Sequence, residues 1–384
     1  MSAERGLPKV VMTYKLRDEA DVIADNVRYH VGQGIDTFLA ADNGSTDGTR
    51  EILAGFEDRG LMRVFDEPAE DFRQESRHWL TKMARFAAEE LGADWVIHND
   101  ADEFWWPVQG TIPEALAGIP PEFGAVISPR SEFITRPEDD RHFAERMDVR
   151  ETRARLRPKV AHRAEPDVVV LHRGAHDVAL AAPDGDGLAI RSPGRPVLRG
   201  ARDEIDEGDD EKLVWAPNHP LRTFHFPLRT YEQFERKART TVLHGAFADR
   251  GNRKVVREHI ENGTLREFYE SQIESQEEVE RRIAAGELVV DRRFAAFLAL
   301  CPDPMAADGP TPLPPRPQPS PEELRAEAEE LELETMRVMS RTQRLLIGRL
   351  ANARESLREA EAEAEKAQRA KKRARRKLRP FSCV

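Results

Sequence analysis

WVIHNDADEFWWP, residues 95–107, sets three carboxylates, Asp100, Asp102 and Glu103, directly after an apolar run (Trp95, Val96, Ile97) and directly before aromatic residues. A short apolar run that ends abruptly in charge reads as a buried strand with the carboxylates at its carboxyl end. Beyond a strand end, a turn can bring carboxylates at i and i+2 onto one hard cation. An ion held that way keeps positions for water and for phosphate oxygens, the usual mode of magnesium or manganese. Asp100 and Asp102 are therefore a candidate clamp for a metal-bound diphosphate, to be weighed against a plain solvated acidic turn.

The text upstream repeats one unit. An apolar run at residues 9–14 leads into a helical period over 18–32, where Ala20, Ile23, Val27 and Val31 recur on one face. A second strand at 37–42 runs into NGSTDGT, where Asp47 or Thr46 can cap a helix carrying Ile52, Leu53 and Phe56. A third strand at 61–65 precedes a helix over about 72–91, and the fourth strand is 94–99. Alternating βα units of this kind predict an α/β fold with a mainly parallel sheet flanked by helices. Ligands of such sheets bind outside the carboxyl ends of the strands, so TYKLRDE, DNGSTDG and NDADE are expected on one edge.

Farther along, residues 124–134 read as another strand, and KVAHRA and DVVVLHRGAH as two short ones. Residues 181–210 are rich in Gly, Asp and Pro and read as a loop or lid. Helical text returns at 230–244 and 264–287. Residues 301–321 form a proline-rich linker, extended rather than folded. Beyond it, residues 322–384 read as one long charged helix. Leu346, Leu350, Ala353, Leu357, Ala360, Ala364 and Ala367 keep the four-three spacing of an Ala-rich coiled-coil seam, and nine basic residues lie between Lys366 and Arg379. The first reading of the basic run is a solvated helix end; self-association through 322–378 and an electrostatic contact of the basic end with a membrane surface or polyanion are the alternatives.

The chain has 384 residues, enough for a sizeable core, and its net charge of −11 excludes a global field that draws it to nucleic acid. No stretch approaches the roughly 18 apolar residues of a membrane span, and the opening residues lack a signal-peptide core, so the expected location is cytoplasmic or membrane-peripheral. Two cysteines, Cys301 and Cys383, cannot frame a disulfide scaffold. No GxGxxG or GxxxxGK[ST] follows the first strand, which disfavours dinucleotide-binding and P-loop readings.

Read in order, MTYKLRDEADVIADNVRYHVGQGID, FLAADNGSTDGT and WVIHNDADEFWWP resemble the glycosyltransferase family 2-like proteins of the GT-A fold, in the branch whose metal motif reads D-x-D-E-F. KVAHRAEPDVVVLHRGAH and TFHFPLRTYEQFERK resemble that family's later segments, so the likeness covers about residues 8–245. It implies a GT-A domain over 1–300, with a nucleotide-binding half at about 8–135 and an acceptor half at about 136–300. It further implies transfer of a sugar from a nucleotide-sugar donor to a glycan or other acceptor hydroxyl, with inversion and with Mn2+ or Mg2+ on the diphosphate.

By that resemblance Thr13, Tyr14, Arg17, Glu19, Asp42, Asn43, Asp47 and Asp100 line the donor site. Asp100 and Asp102 hold the metal, with His225 or His176 as a further ligand, and Glu103 fixes the turn. Arg229, Lys237 and Lys159 are candidates to neutralise the leaving diphosphate. The sequence departs from the family pattern in having Asp42-Asn43 where many members carry two aspartates, and in lacking the "E-D" segment that supplies the base. Glu132 and Asp177 are the remaining base candidates. Trp105 and Trp106 read either as core or as a stacking surface for an acceptor sugar. Two rival classes are open: a nucleotidyltransferase, disfavoured by TYKLRDE in place of a glycine-rich loop, and a non-catalytic GT-A scaffold working through its coiled coil.

Overall fold

The computed structural model describes residues 6–68, 72–119, 121, 124–153, 155–170, 178–181, 188–190, 221–243, 252–306, 320–323, 326–327 and 330–331. The first half alternates as the periodicity predicts: β1 Val10–Leu16, α1 Ile23–Gly32, β2 Thr37–Asp42, α2 Thr49–Asp58, β3 Met62–Asp66, α3 Phe72–Glu89 and β4 Trp95–Asn99. Then come β5 Glu103–Pro107, α4 Ile112–Ala117, β6 Ala125–Glu132, α5 Phe143–Arg146, β7 Val149–Glu151, β8 Arg155–Arg163 and β9 Val168–Val170. After β10 Val178–Ala181 and β11 Leu188–Ile190 follow β12 Leu221–His225, α6 Tyr231–Leu243, α7 Asn252–Glu261, α8 Leu265–Glu270, α9 Gln276–Ala284, β13 Leu288–Val290 and α10 Arg293–Leu300.

Eight strands form one mixed, mainly parallel sheet in the order β3-β2-β1-β4-β8-β6-β12-β5. The steps β3–β2, β2–β1 and β1–β4 are parallel. Two antiparallel steps through β8 restore the original direction at β6, and β12 runs parallel to β6. Six strands therefore end on one edge of the sheet, at Leu16, Asp42, Asp66, Asn99, Glu132 and His225.

The strand period sorts β1 cleanly. Val10, Met12, Tyr14 and Leu16 enter the main core with Val27 and Tyr29 of α1, while Thr13 and Lys15 face the other way. The aromatic residues 104–106 are strand β5, and all three rings are buried, so the acceptor-stacking reading of Trp105 and Trp106 is replaced by the core reading. Phe104 packs 4.5 Å from Phe294 between ring centroids, and Phe133 lies 4.3 Å from Phe226.

Strand β5 is the sheet's outer strand, and α1 supplies the hydrogen bonds a neighbouring strand would have made. Asn26 donates to the Glu103 carbonyl at 2.7 Å, the Tyr29 hydroxyl to the Trp105 carbonyl at 3.1 Å, and the Trp105 amide to His30 Nε2 at 3.1 Å. An edge satisfied in this way cannot recruit a further strand.

Several local expectations shift. The helix expected over 18–32 begins at Ile23, because residues 18–20 bond to the loop after β2 and Asp18 adopts φ 56. The cap of α2 is Gly48, at φ 99, and not Asp47 or Thr46; Asp47 instead accepts from the Thr49 amide and hydroxyl. The helical stretch expected over 264–287 is two helices, split where the Ser275 side chain caps α9 by accepting from the Glu278 amide.

The folded body also reaches past residue 300. Arg59 donates to the carbonyls of Met305 and Ala306, which seats the start of the expected linker on α2. Glu327 and Glu330 pair with Arg293, Arg150 and Arg222, and Leu331 is fully buried. The compact unit accordingly spans Met1–Thr335. The expected coiled-coil seam and basic end lie outside the described residues, as does most of the expected lid over 181–210. No helix among the described residues is long and apolar enough to cross a membrane.

Candidate active site

The register of the sheet assembles the site before any side chain is considered. Leu16 pairs with Asp42 and Asp42 with Asp66, while Tyr14 pairs with Asn99, so Lys15 stands beside Asp100. On the other flank of β4 the antiparallel register Ile97↔Ala161 carries on to bring Lys159 alongside Asn99. At the far side of the sheet, His225 is paired with Glu103 on one neighbour and Glu132 on the other.

The turn between β4 and β5 is held from beneath. Asn26 of α1 donates to the Ala101 carbonyl at 2.8 Å as well as to Glu103, and Asn99 donates to the Asn26 side-chain oxygen at 3.0 Å. The Glu103 amide closes the turn on the Asp100 carbonyl at 3.0 Å, and its carboxylate accepts from the Asp100 amide at 3.4 Å, the turn-fixing role expected of it. Glu103 is also the anionic partner of buried Lys159 at 2.7 Å and of Arg130 at 3.3 Å.

Both oxygens of Asp100 meet ammonium groups: Lys15 at 2.5 Å and Lys159 at 3.1 Å. Burial alone raises a carboxyl pKa, but these two cations outweigh it and hold Asp100 well below the ordinary carboxylate range. Lys15 is 12% exposed and Asp100 30%, so this pair opens to solvent; Lys159 at 1% does not.

Asp102 is clamped by groups from β12, α6 and the segment between them. Lys237 lies at 2.9 Å, the His225 Nε2 at 3.6 Å and Arg229 at 3.9 Å, and the Phe226 amide donates to the Asp102 carbonyl. The other ring nitrogen of His225 is 2.6 Å from Glu132, whose second oxygen accepts from Arg130 at 2.7 Å. Burial alone lowers an imidazole pKa, yet the carboxylates of Glu132 and Asp102 on either side push His225 up to about 9. Glu19 joins the same group by pairing with Lys237 at 3.2 Å and Arg229 at 3.3 Å. Burial leaves its pKa raised despite Lys237.

The residues expected to line the donor site divide by depth. Arg17, Glu19 and Asp100 are at the strand-tip surface of the site. Asp42, Asn43 and Asp47 build the loop behind it: Asp42 accepts from the Ser45 hydroxyl at 2.5 Å, Asn43 donates to the Glu67 carbonyl at 2.9 Å, and Asp47 accepts from the Ala20 amide at 3.1 Å. Tyr14 is not brought to the site; its hydroxyl donates to Asn26 at 2.8 Å on the core face of β1, as the two-residue strand period requires. Thr13 is fully enclosed against His98 at 2.6 Å. His176 and Asp177 lie outside the described residues.

Sequence reasoning missed Lys15, Asn26 and Arg130. For Asn26 a signal exists: it occupies the buried face of α1 together with Ile23, Val27 and His30, and an amide placed there must find backbone partners. Nothing local marks Lys15, whose role comes from the neighbour that the register gives it.

Among the described residues, no group of three or more His, Cys, Asp and Glu side chains is placed to hold a metal ion. The two Asp100 oxygens face lysine ammoniums, and the closest cation to Asp102 is Lys237. The donor set so arranged does not fit Mn2+ or Mg2+ at Asp100, Asp102 and His225, because a dication on Asp100 would stand beside two ammonium groups.

No protein-family model matches the chain, and no curated protein matches it. Solved structures that resemble it include S. aureus TarS 1–349, 12% identical over 62% of this chain and 66% of that one, with a TM-score of 0.30. The same fragment in complex with UDP is 14% identical over 68% of this chain and 70% of that one, at 0.29, and in complex with UDP-GlcNAc 14% identical over 34% and 37%, at 0.26. The match to the longer S. aureus TarS chain, 15% identical at 0.27, covers 34% of this chain and spans only 23% of that one. Likeness at these identities and TM-scores decides nothing about activity.

Proposed function

We propose that this chain is a glycosyltransferase that moves a sugar from a nucleotide-sugar donor to an acceptor hydroxyl with inversion. The observation that carries the reading is the gathering of TYKLRDE, DNGSTDG, NDADE, Glu132 and His225 at the ends of five of the six like-directed strands on one sheet edge. A resemblance read from separate motifs gains weight when the motifs converge in space, and these do.

In the transfer, the bond from the acceptor oxygen to the anomeric carbon forms as the bond from that carbon to the diphosphate oxygen breaks. The electron pair of the broken bond leaves with the nucleoside diphosphate, and the acceptor's proton goes to a carboxylate. Glu132 is the base proposed here. It stands at a strand tip with one oxygen on His225 and the other on Arg130, a pair of contacts that fixes its direction. Asp100 and Asp102 organise the donor side, and the ammonium and guanidinium groups around them place positive charge where the leaving group gains negative charge.

The test is to incubate the full chain with UDP-, GDP-, CDP- and dTDP-sugars, with Mn2+ and Mg2+ both present, and to follow nucleoside diphosphate release. One donor class should be turned over, and Asp102→Asn should slow it by roughly a hundredfold. Release from none of the four sinks the reading and moves the scaffold alternative to first place.

A further inference from the structure

The acidic pair that the sequence assigns to a metal is engaged with lysines in a way the backbone imposes. Strand β4 lies between β1 and β8, and the two registers deliver Lys15 from one neighbour and Lys159 from the other to its tip. Their Nζ atoms lie 2.5 Å and 3.1 Å from the two Asp100 oxygens. Lys159 cannot withdraw cheaply. It is 1% exposed, and its second partner, Glu103 at 2.7 Å, is equally buried. Moving that ammonium away would leave the buried Glu103 carboxylate with Arg130 alone, at 3.3 Å.

The charges close without a metal. The carboxylates of Asp100, Glu103 and Glu132 are matched one for one by Lys15, Lys159 and Arg130. Asp102 is met in turn by Lys237 at 2.9 Å, whose side chain is half exposed on α6. Adding a dication at Asp100 would leave an excess of two positive charges beside the fully buried Lys159 and the mostly buried Lys15, close enough for strong repulsion. An ammonium held by a carboxylate presents three N–H donors in all, and phosphate oxygens are natural acceptors for it.

We propose that the paired aspartates hold the Lys15 and Lys237 ammoniums in place of a divalent metal, so that a donor's diphosphate is bound by these lysines and the site works without Mn2+ or Mg2+. This rests on the nucleotide-sugar reading of the site. Lys15 meets the diphosphate from the β1 side and Lys237 from α6. Lys159 stays buried and neutralises Asp100 and Glu103.

The experiment is calorimetric titration of UDP, GDP, CDP and dTDP into the full chain, once in EDTA and once in excess Mn2+, repeated for the nucleotide that binds with Lys15→Met and Lys15→Arg. The expected result is one nucleotide bound equally well in both buffers, with Lys15→Met weakening it roughly ten- to a hundredfold and Lys15→Arg recovering most of the loss. Binding that appears only with Mn2+ overturns the proposal and leaves the glycosyltransferase reading intact. Equal binding by wild type and Lys15→Met, in a variant whose thermal midpoint matches wild type, overturns it as well. Binding of no nucleotide in either buffer overturns the nucleotide-sugar reading and this proposal together. The comparison of buffers needs no variant, so a misfolded Lys15→Met leaves the test standing.

Discussion

The Lys159 ammonium lies 2.7 Å from the Glu103 carboxylate, and each side chain is 1% exposed. A pair so deeply buried is costly to form and costlier to break, and this one sits directly behind the Asp100 turn.

Removing one partner alone should therefore destabilise the chain strongly. Lys159→Met leaves Glu103 buried with only Arg130 at 3.3 Å, and the expected loss is roughly 3–5 kcal/mol in urea unfolding. Adding Glu103→Gln to Lys159→Met should recover part of that loss. A double variant no more stable than the single one would show that the cost lies in packing and not in charge.

Asn26 ties α1 to the Asp100–Glu103 turn through the carbonyls of Ala101 and Glu103. Asn26→Ala takes the side-chain donor from the Ala101 carbonyl, leaves the Glu103 carbonyl with Asn99 alone at 2.9 Å, and removes the acceptor of the buried Tyr14 hydroxyl, and should cost on the order of 2–4 kcal/mol. Because the turn carries Asp100 and Asp102, nucleotide binding by the surviving folded protein should weaken too. Unchanged binding would separate the turn's geometry from its anchor.

Glu132→Gln tests the proton acceptor. The amide cannot take the acceptor's proton, so kcat for sugar transfer should fall by roughly a hundredfold to ten-thousandfold while KM for the donor stays near wild type. A matching rise in donor KM with kcat preserved would reassign Glu132 to donor binding.

Folding stability should fall in mild acid through His30. Its burial lowers the imidazole pKa to about 3 in the folded chain, against an ordinary value of 6.5, although its bond to the Asn26 carbonyl works the other way. The folded state thus binds fewer protons than the unfolded one between these values. Stability contributed by neutral His30 is fully present above about pH 6.5, declines as the pH falls below it, and is spent by about pH 3. Urea midpoints measured from pH 7 to 4 should fall less steeply in a His30→Gln variant that keeps the fold, whatever its starting stability.

Truncation before residue 320 should weaken the whole unit. Glu327 lies 2.8 Å from Arg293, and Glu330 lies 3.1 Å from Arg222 and 3.4 Å from Arg150, where Arg222 and Arg150 are buried. Losing these carboxylates and the buried Leu331 should lower the thermal midpoint by several degrees, equivalent to roughly 2–4 kcal/mol. An unchanged midpoint would mean that the segment only rests on the surface.

What could be read from the chain alone was whatever depends on short-range pattern. The alternation of apolar runs and helical periods over residues 9–99 determines β1 to β4 and the helices between them, because burying one face imposes a period of two or 3.6 on the sequence. The rule that parallel strands end on one edge then brings the loops TYKLRDE, DNGSTDG and NDADE to the same side. Pattern could not decide the strands β5 and β12, whose aromatic residues suit a core or a surface equally well until a partner strand is given. Nor could it decide what the acidic pair holds. Lys15 and Asp100 are separated by 85 residues and Lys159 and Asp100 by 59, and they become neighbours only through the registers on the two flanks of β4. The chain determined that negative charge would gather at that strand tip. The tertiary structure decided which cations meet it, because pairing across a sheet is a long-range choice that local spacing does not encode.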